Sequence, residues 1–208
     1  MTPPNGESAE VRAWDTHDTQ HDKIGTHTYG FWIYLLNDAM IYAALFATDI
    51  VLSHRMNAAG APMGRSVVHP LTAFWETVIL LSGGVAYGLV LAGQKRAHAR
   101  LAILGLALAS LAGGGFVYLS LHSFLKLAAR GITPERSGYL SIVFVLVLYH
   151  TLHIGLGVVW MIVMIAQILI FGFHPNVVYR LLNLRLFWLF QIVIWILIYT
   201  FVYLAAPL

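Results

Sequence analysis

Hydrophobic positions in this chain gather into five long runs separated by short polar connections. The runs are Phe31–Leu52, Leu71–Ala92, Leu101–Leu125, Leu140–Phe171 and Leu186–Leu204. A helix crosses a hydrocarbon core of about 30 Å with about 20 apolar residues. Each run reaches that length or nearly so. Hydrocarbon offers no partners to backbone N–H and C=O groups, so a spanning run must satisfy them internally, as a helix. The pattern predicts an all-α integral membrane bundle of five transmembrane helices over residues 29–208. Residues 1–28 are expected to be a polar, mobile tail, with Pro3, Pro4, five acids and three histidines.

Punctuation between the runs sharpens the boundaries. Pro70 is placed to open helix 2, where its missing N–H costs little. Gly131 and Pro134 interrupt the chain between helices 3 and 4, and Gly172 and Pro175 end helix 4. The fourth run of 32 residues would extend about 48 Å at 1.5 Å per residue, so it must tilt or protrude. Gly84 and Gly88 form a G-x-x-x-G on helix 2, and Gly105, Ala109 and Gly113 continue a small-residue row on helix 3. Such rows let helix backbones approach closely in lipid. Trp32, Trp75 and Trp188 are read as sitting near span ends, as an interfacial belt would. No internal repeat is visible, which argues against a transporter built from duplicated halves.

Composition agrees with a membrane bundle. The chain is 59% hydrophobic and 10% charged, against about 25% charged in soluble domains. Its 12 basic residues, giving a formal charge of +3, lie almost entirely in loops and tail. That placement suits lipid headgroups and gives no reason to expect nucleic acid. There is no cysteine, hence no disulfide framework and no thiolate metal site. The tail lacks the apolar core of a secretory signal. With the N-terminus in the cytoplasm, inside segments hold seven basic residues and outside loops five. Together with the dense loop Gln94–Arg100, this favours a cytoplasmic N-terminus.

Chemistry must come from the few polar residues within the spans. Glu76 lies five residues into the second run with no basic residue in the same span. The membrane interior favours the neutral form of such a carboxyl, which can then donate a hydrogen bond or relay a proton. Asp38, beside Asn37 in helix 1, meets the same argument. Asp49, near the end of that helix, can reach interfacial water. His150 and His153 in helix 4 are three apart and share a helical face. Axial haem ligands approach iron from opposite sides, so the pair cannot clamp one haem. It could hold zinc or copper only with further ligands, and His122 is the one other histidine in a span. Interhelical hydrogen bonding is the simpler reading. His17 and His21 alternate with aspartates in the tail, which is read as solvated. No metal site, cofactor site or catalytic centre emerges for this chain.

These residues, in order, resemble subunit III of the haem–copper oxidases, most closely the five-helix form in bacterial cytochrome bo-type ubiquinol oxidases. The resemblance covers about residues 29 to 208. It rests on Gly30-Phe-Trp-Ile-Tyr-Leu35 with Asp38 and Leu45-Phe-Ala-Thr48, on Glu76-Thr77, and on Pro134-Glu-Arg-Ser-Gly138 with its Arg136. It continues through His150-x-x-His153, Gly157-x-x-Trp160-Met161, Leu186-Phe-Trp188 and Val202-Tyr-Leu204.

The resemblance implies a subunit without a redox centre, packed in a respiratory complex of the bacterial inner membrane. The implied partners are subunits I and II and a small subunit IV. Subunit I would hold haem and copper and reduce oxygen, with electrons from ubiquinol and protons pumped outward. This subunit would hold phospholipid in a cleft, stabilise the complex and support proton uptake. Beyond what the resemblance implies, helices 1 and 2 are expected to form the face against subunit I, with Glu76 holding a hydrogen bond or proton near it. The chain departs from the family pattern in two places. Ser120-Leu-His-Ser-Phe124 stands where the family has E-x-x-E-F, and Phe187-Trp-Leu-Phe190 where it has Phe-Trp-His-Phe. A polar network joining helices 3, 4 and 5 is therefore expected to be thin. A subunit III-like partner of nitric oxide reductase and an independent proton-coupled transporter remain open as alternatives.

Overall fold

The computed structural model describes residues 23–54, 60, 62, 64, 67 and 70–204, with backbone alone for 23–28. Five helices follow one another: α1 Lys23–Leu52, α2 Pro70–Lys95, α3 Ala99–Ala129, α4 Gly138–Phe171 and α5 Pro175–Ile198. The last continues through a π-helical stretch, Tyr199–Leu204. No strand occurs among the described residues, and all five helices are long and apolar enough to span a membrane. The all-α, five-span expectation holds. Residues 1–22, with His17 and His21, lie outside the described residues.

Helix ends follow local chemistry. Pro70 and Pro175 occupy the first turns of α2 and α5, where a missing N–H breaks no bond. The Ser137 hydroxyl caps α4 by accepting from Leu140 N–H at 3.1 Å. Gly131, at φ 73°, closes α3 in a Schellman motif: its N–H donates to Ala128 C=O and Ile132 N–H to Leu127 C=O. The α2–α3 turn repeats that motif with Ala97 at φ 53°, and His98 N–H donates to Gly93 C=O at 2.9 Å. A side chain in this left-handed region is strained.

α5 begins eleven residues before the expected Leu186. Arg180, Asn183 and Arg185 lower its apolarity, but they do not interrupt a helix that Pro175 opens. This shifts Trp188 from a span end to the bundle interior, where it is 1% exposed. Trp188 therefore does not belong to the interfacial belt. Trp32 and Trp75 are exposed.

Successive helices run antiparallel. One membrane face carries the start of α1 and the α2–α3 and α4–α5 turns, and is called the N-terminal face below. The opposite face carries the ends of α1 and α5, the start of α2 and the α3–α4 turn. α3 lies between α2 and α4, α5 crosses α4 and α2, and α1 rests on α4 and α5. α1 is the least buried of the five.

Small residues set the α2–α3 seam. A Cβ on Gly93 would stand 2.6 Å from Ala102 N, and one on Gly105 would stand 2.8 Å from Val90 N. Ala109 is fully buried on the same row. On α2 the tight positions are Gly83 and Gly93. Gly84 packs on α5, where a Cβ would stand 2.8 Å from the Ile192 side chain, and Gly88 has nothing within 4 Å, so the Gly84/Gly88 row lies outside the α2–α3 contact. The registers differ by one residue, which is 100° around a helix.

Trp188 fills a socket built by three other helices. Its ring lies 3.2 Å from a Cβ on Gly83, 2.8 Å from one on Gly113 and 3.4 Å from one on Gly157. The indole fits because all three positions lack a side chain.

Candidate functional site

Two groups of buried polar residues stand out, at different depths. The first lies near mid-depth where α1, α4 and α5 meet. Asp38 is 3% exposed. Its Oδ1 accepts a hydrogen bond from the Tyr149 hydroxyl at 2.9 Å and stands 3.4 Å from His153 Nε2. The other ring nitrogen of His153, Nδ1, is 2.8 Å from the Tyr149 carbonyl oxygen. A carbonyl only accepts, so Nδ1 carries a proton. The contact between Nε2 and Asp38 then requires one more proton, on either partner. Imidazolium facing carboxylate and imidazole facing carboxylic acid are both net neutral, which makes the pair tolerable in hydrocarbon.

One turn beyond Asp38, the Tyr42 hydroxyl donates to Gln191 Oε1 at 3.4 Å, joining α1 to α5. Its ring packs edge-on against Tyr149 at 5.2 Å and against His150 at 6.4 Å. His150 is fully buried. It stacks on Trp195 at 5.3 Å and meets the Phe116 edge at 5.6 Å. Its ring nitrogens make no close hydrogen bond, and the Gln191 side chain is the polar group beside them. His153 finds its partner in Asp38, while His150 serves as an aromatic core residue. No group of three or more His, Asp or Glu able to hold a metal occurs among the described residues. His122 lies far along α3, exposed and stacked on Tyr118.

The thin polar network expected across helices 3, 4 and 5 takes a specific form. Ser120 and Thr151 hydroxyls lie 2.8 Å apart and join α3 to α4. The Trp195 indole N–H donates to Thr77 Oγ1 at 2.9 Å and joins α5 to α2.

The second group lies toward the face opposite the N-terminal one. Glu76, 2% exposed, lines a cavity with about 40 Å³ of space for water centres, together with Thr72, Ser123, Leu127, Val143 and Tyr203. A water needs about 10–15 Å³ by that measure and two to four polar partners. The cavity is large enough for water, and its carboxyl and hydroxyls supply partners. Glu76 points into the bundle, away from any outward face of α1 and α2. Asp49, 4% exposed, is buried near the same end.

The remaining candidates are structural or peripheral. Arg136 is exposed in the turn Pro134–Arg136 and folds toward Gly131. Trp160 is half-buried, edge-on to Phe31 at 5.8 Å. The sequence reading had the residues Asp38 and His153 but not their pairing, and it missed Tyr42 and Tyr149. One signal was available: Asp38/Tyr42 and Tyr149/His153 are both four apart, each a polar pair on one face of an apolar span.

Comparison with known proteins places this bundle in a family. The sequence model of cytochrome c oxidase subunit III matches residues 9–206, nearly the whole chain. The chain is 38% identical over 192 residues to cytochrome bo(3) ubiquinol oxidase subunit 3 of Pseudomonas aeruginosa, covering 92% of this chain and 91% of that one. It is 38% identical over 193 residues to the protein of the same name from Pseudomonas putida, covering 90% of each. A probable quinol oxidase subunit 3 from Staphylococcus haemolyticus is 29% identical over 92% of each chain. The fold is a five-span membrane bundle, and the chain belongs to the cytochrome c oxidase subunit III family.

Proposed function

We propose that this chain is the non-catalytic subunit III of a proton-pumping ubiquinol oxidase in the bacterial inner membrane, with its N-terminus in the cytoplasm. The observation that carries this reading is the full-length similarity to ubiquinol oxidase subunits 3. Its partners are subunits I and II and a small subunit IV. Haem and copper reside in subunit I, which oxidises ubiquinol and reduces oxygen to water. Subunit III stabilises that assembly and supports proton movement during turnover. The buried polar residues support this division of labour, because they link helices within the chain. Phospholipid is the expected occupant of the groove between α1 and α5. That groove, about 280 Å³, is lined by Trp32, Leu35, Leu36, Leu189, Phe190 and Val193, an apolar surface that suits acyl chains.

The test is a mild-detergent pull-down of the tagged chain from its own membranes. The expected result is co-elution of a haem-bearing subunit I with quinol-dependent oxygen uptake. A colourless chain eluting alone would overturn the reading and favour an independent transporter. Glu76→Gln should leave the complex assembled but shorten its active lifetime during turnover. An unchanged lifetime removes Glu76 from proton traffic.

A further inference from the structure

Glu76 is close to one membrane face and far from the other. It lies six residues after Pro70, about 9 Å along α2, and nineteen before Lys95, about 28 Å. Beyond the cavity that Glu76 lines, a second pocket of about 240 Å³ lies between the start of α2 and the last turns of α3, at the nearer face. The two spaces share Thr72, Ser123 and Leu127 as walls. The outer pocket adds His122, Lys126 and Arg130, all exposed on the last turns of α3. In the other direction the interior is closed. Leu80, one turn deeper on α2, is fully buried, as are Leu106 and Phe116 on α3, and Trp188 is 1% exposed.

We infer that Thr72, Ser123, His122 and Lys126 line a hydrated vestibule that connects the Glu76 carboxyl to water on the face opposite the N-terminal one, and to that face alone. Hydroxyls of Thr72 and Ser123 bracket the narrow junction, where waters need polar partners. The Ser123 hydroxyl donates to Leu119 C=O at 2.9 Å, which leaves its oxygen lone pairs open to accept from water. Among the described residues, the titratable groups that line the passage with Glu76 are Tyr203 from the end of α5 and His122, Lys126 and Arg130 from α3, and Tyr139 of α4 lies behind Tyr203. α4 contributes only Val143 to the cavity. Two cations at the mouth favour anions over cations in the outer pocket, so a proton reaches Glu76 along water and hydroxyls rather than as a free cation.

This goes beyond the proposed function and does not rest on it, because sided access is a property of the chain itself. If the N-terminus is cytoplasmic, the vestibule opens outward. Glu76 then exchanges with the compartment into which protons are released, and the expected support of proton uptake would need the closed, apolar route.

The chain has no cysteine, so single cysteines can be read cleanly in the assembled protein. Thr72→Cys, Ser123→Cys, Glu76→Cys and, as a depth limit, Leu80→Cys are placed in the full chain in its own membranes. A charged, membrane-impermeant methanethiosulfonate is added to right-side-out or inverted vesicles. It reacts with hydrated thiolate, so modification reports water access. Cysteines at 72, 76 and 123 should react at least about tenfold faster from the face opposite the N-terminal one, since a charged reagent does not cross the apolar core. Position 80 should stay unmodified from both. Ser123→Cys, the mildest change, carries the test if Glu76→Cys fails to assemble. Equal rates from both faces, faster reaction from the N-terminal face, or no reaction at 72 and 123 while Lys126→Cys reacts would each overturn the inference. None of these outcomes bears on co-elution with an oxidase, so this inference and the functional reading fail separately.

Discussion

Along the α2–α3 seam, backbone meets backbone; where α1 rests on α4 and α5, polar side chains make the contact. The seam uses Gly93 against Ala102 and Gly105 against Val90, with no hydrogen bond between side chains among these residues. The α1 contact uses Asp38 with Tyr149 and His153, and Tyr42 with Gln191. Lipid tails are as apolar as leucine, so apolar burial alone gives helices little reason to associate. Either close van der Waals contact or hydrogen bonding must supply it. A long, tight hairpin such as α2–α3 can use the first, because its short turn already fixes register. α1 is tied to α2 by a long connection and buries least of the five helices. It needs specific partners to fix its rotation and depth.

The largest effect should come from closing the seam's space. Gly105→Val would push a side chain into Val90 N at 2.8 Å and Ala86 C=O at 3.0 Å. Backbone atoms cannot step aside as a side chain can, so a loss of about 1–3 kcal/mol or more is expected. It would be read as lost yield and a lower unfolding midpoint in mild detergent. Gly88→Ala, five residues from both Gly83 and Gly93 and open within 4 Å, should cause no loss. If both variants behaved alike, close approach would not be what holds this seam.

A smaller effect should follow at α1. Asp38→Asn keeps an acceptor for Tyr149 but removes the proton shared with His153. Hydrogen bonds between membrane helices are worth about 0.6 kcal/mol on average and at most about 1.7. Asp38→Asn should fall within that range, and it should loosen α1 before the rest, seen as faster proteolysis or labelling of α1 with α2–α3 intact. Uniform destabilisation would mean that the polar contact is not specific to α1.

The smallest effect has the opposite sign. Ala97→Gly relieves a left-handed alanine at φ 53° in the α2–α3 turn and should stabilise the hairpin by about 1 kcal/mol. A thermal midpoint that does not rise would show that the turn is not under strain.

The spans, their antiparallel order and most breaks were legible in the chain, because length, apolarity and Pro or Gly position act locally. The start of α5 was not. Arg180 and Arg185 mark an interfacial helical turn that apolarity alone reads as loop. The site was half legible. Glu76, Asp38 and His153 were visible as polar residues in apolar spans, but helix 4 is apolar nearly all round. Such a helix carries no periodic signal to say which side faces which neighbour.

By itself the sequence determined that five helices are long and apolar enough to cross the membrane, where Pro and Gly break most of them, and which family they belong to. Only the tertiary structure decided that Asp38 meets His153, that Tyr42 meets Gln191 across 149 residues of sequence, and that Trp188 fills the gap left by Gly83, Gly113 and Gly157. The reason is physical. In hydrocarbon the cost of an unpaired backbone forces the helix segment by segment, whereas the rotation of each helix is fixed only by the side chains it finds opposite.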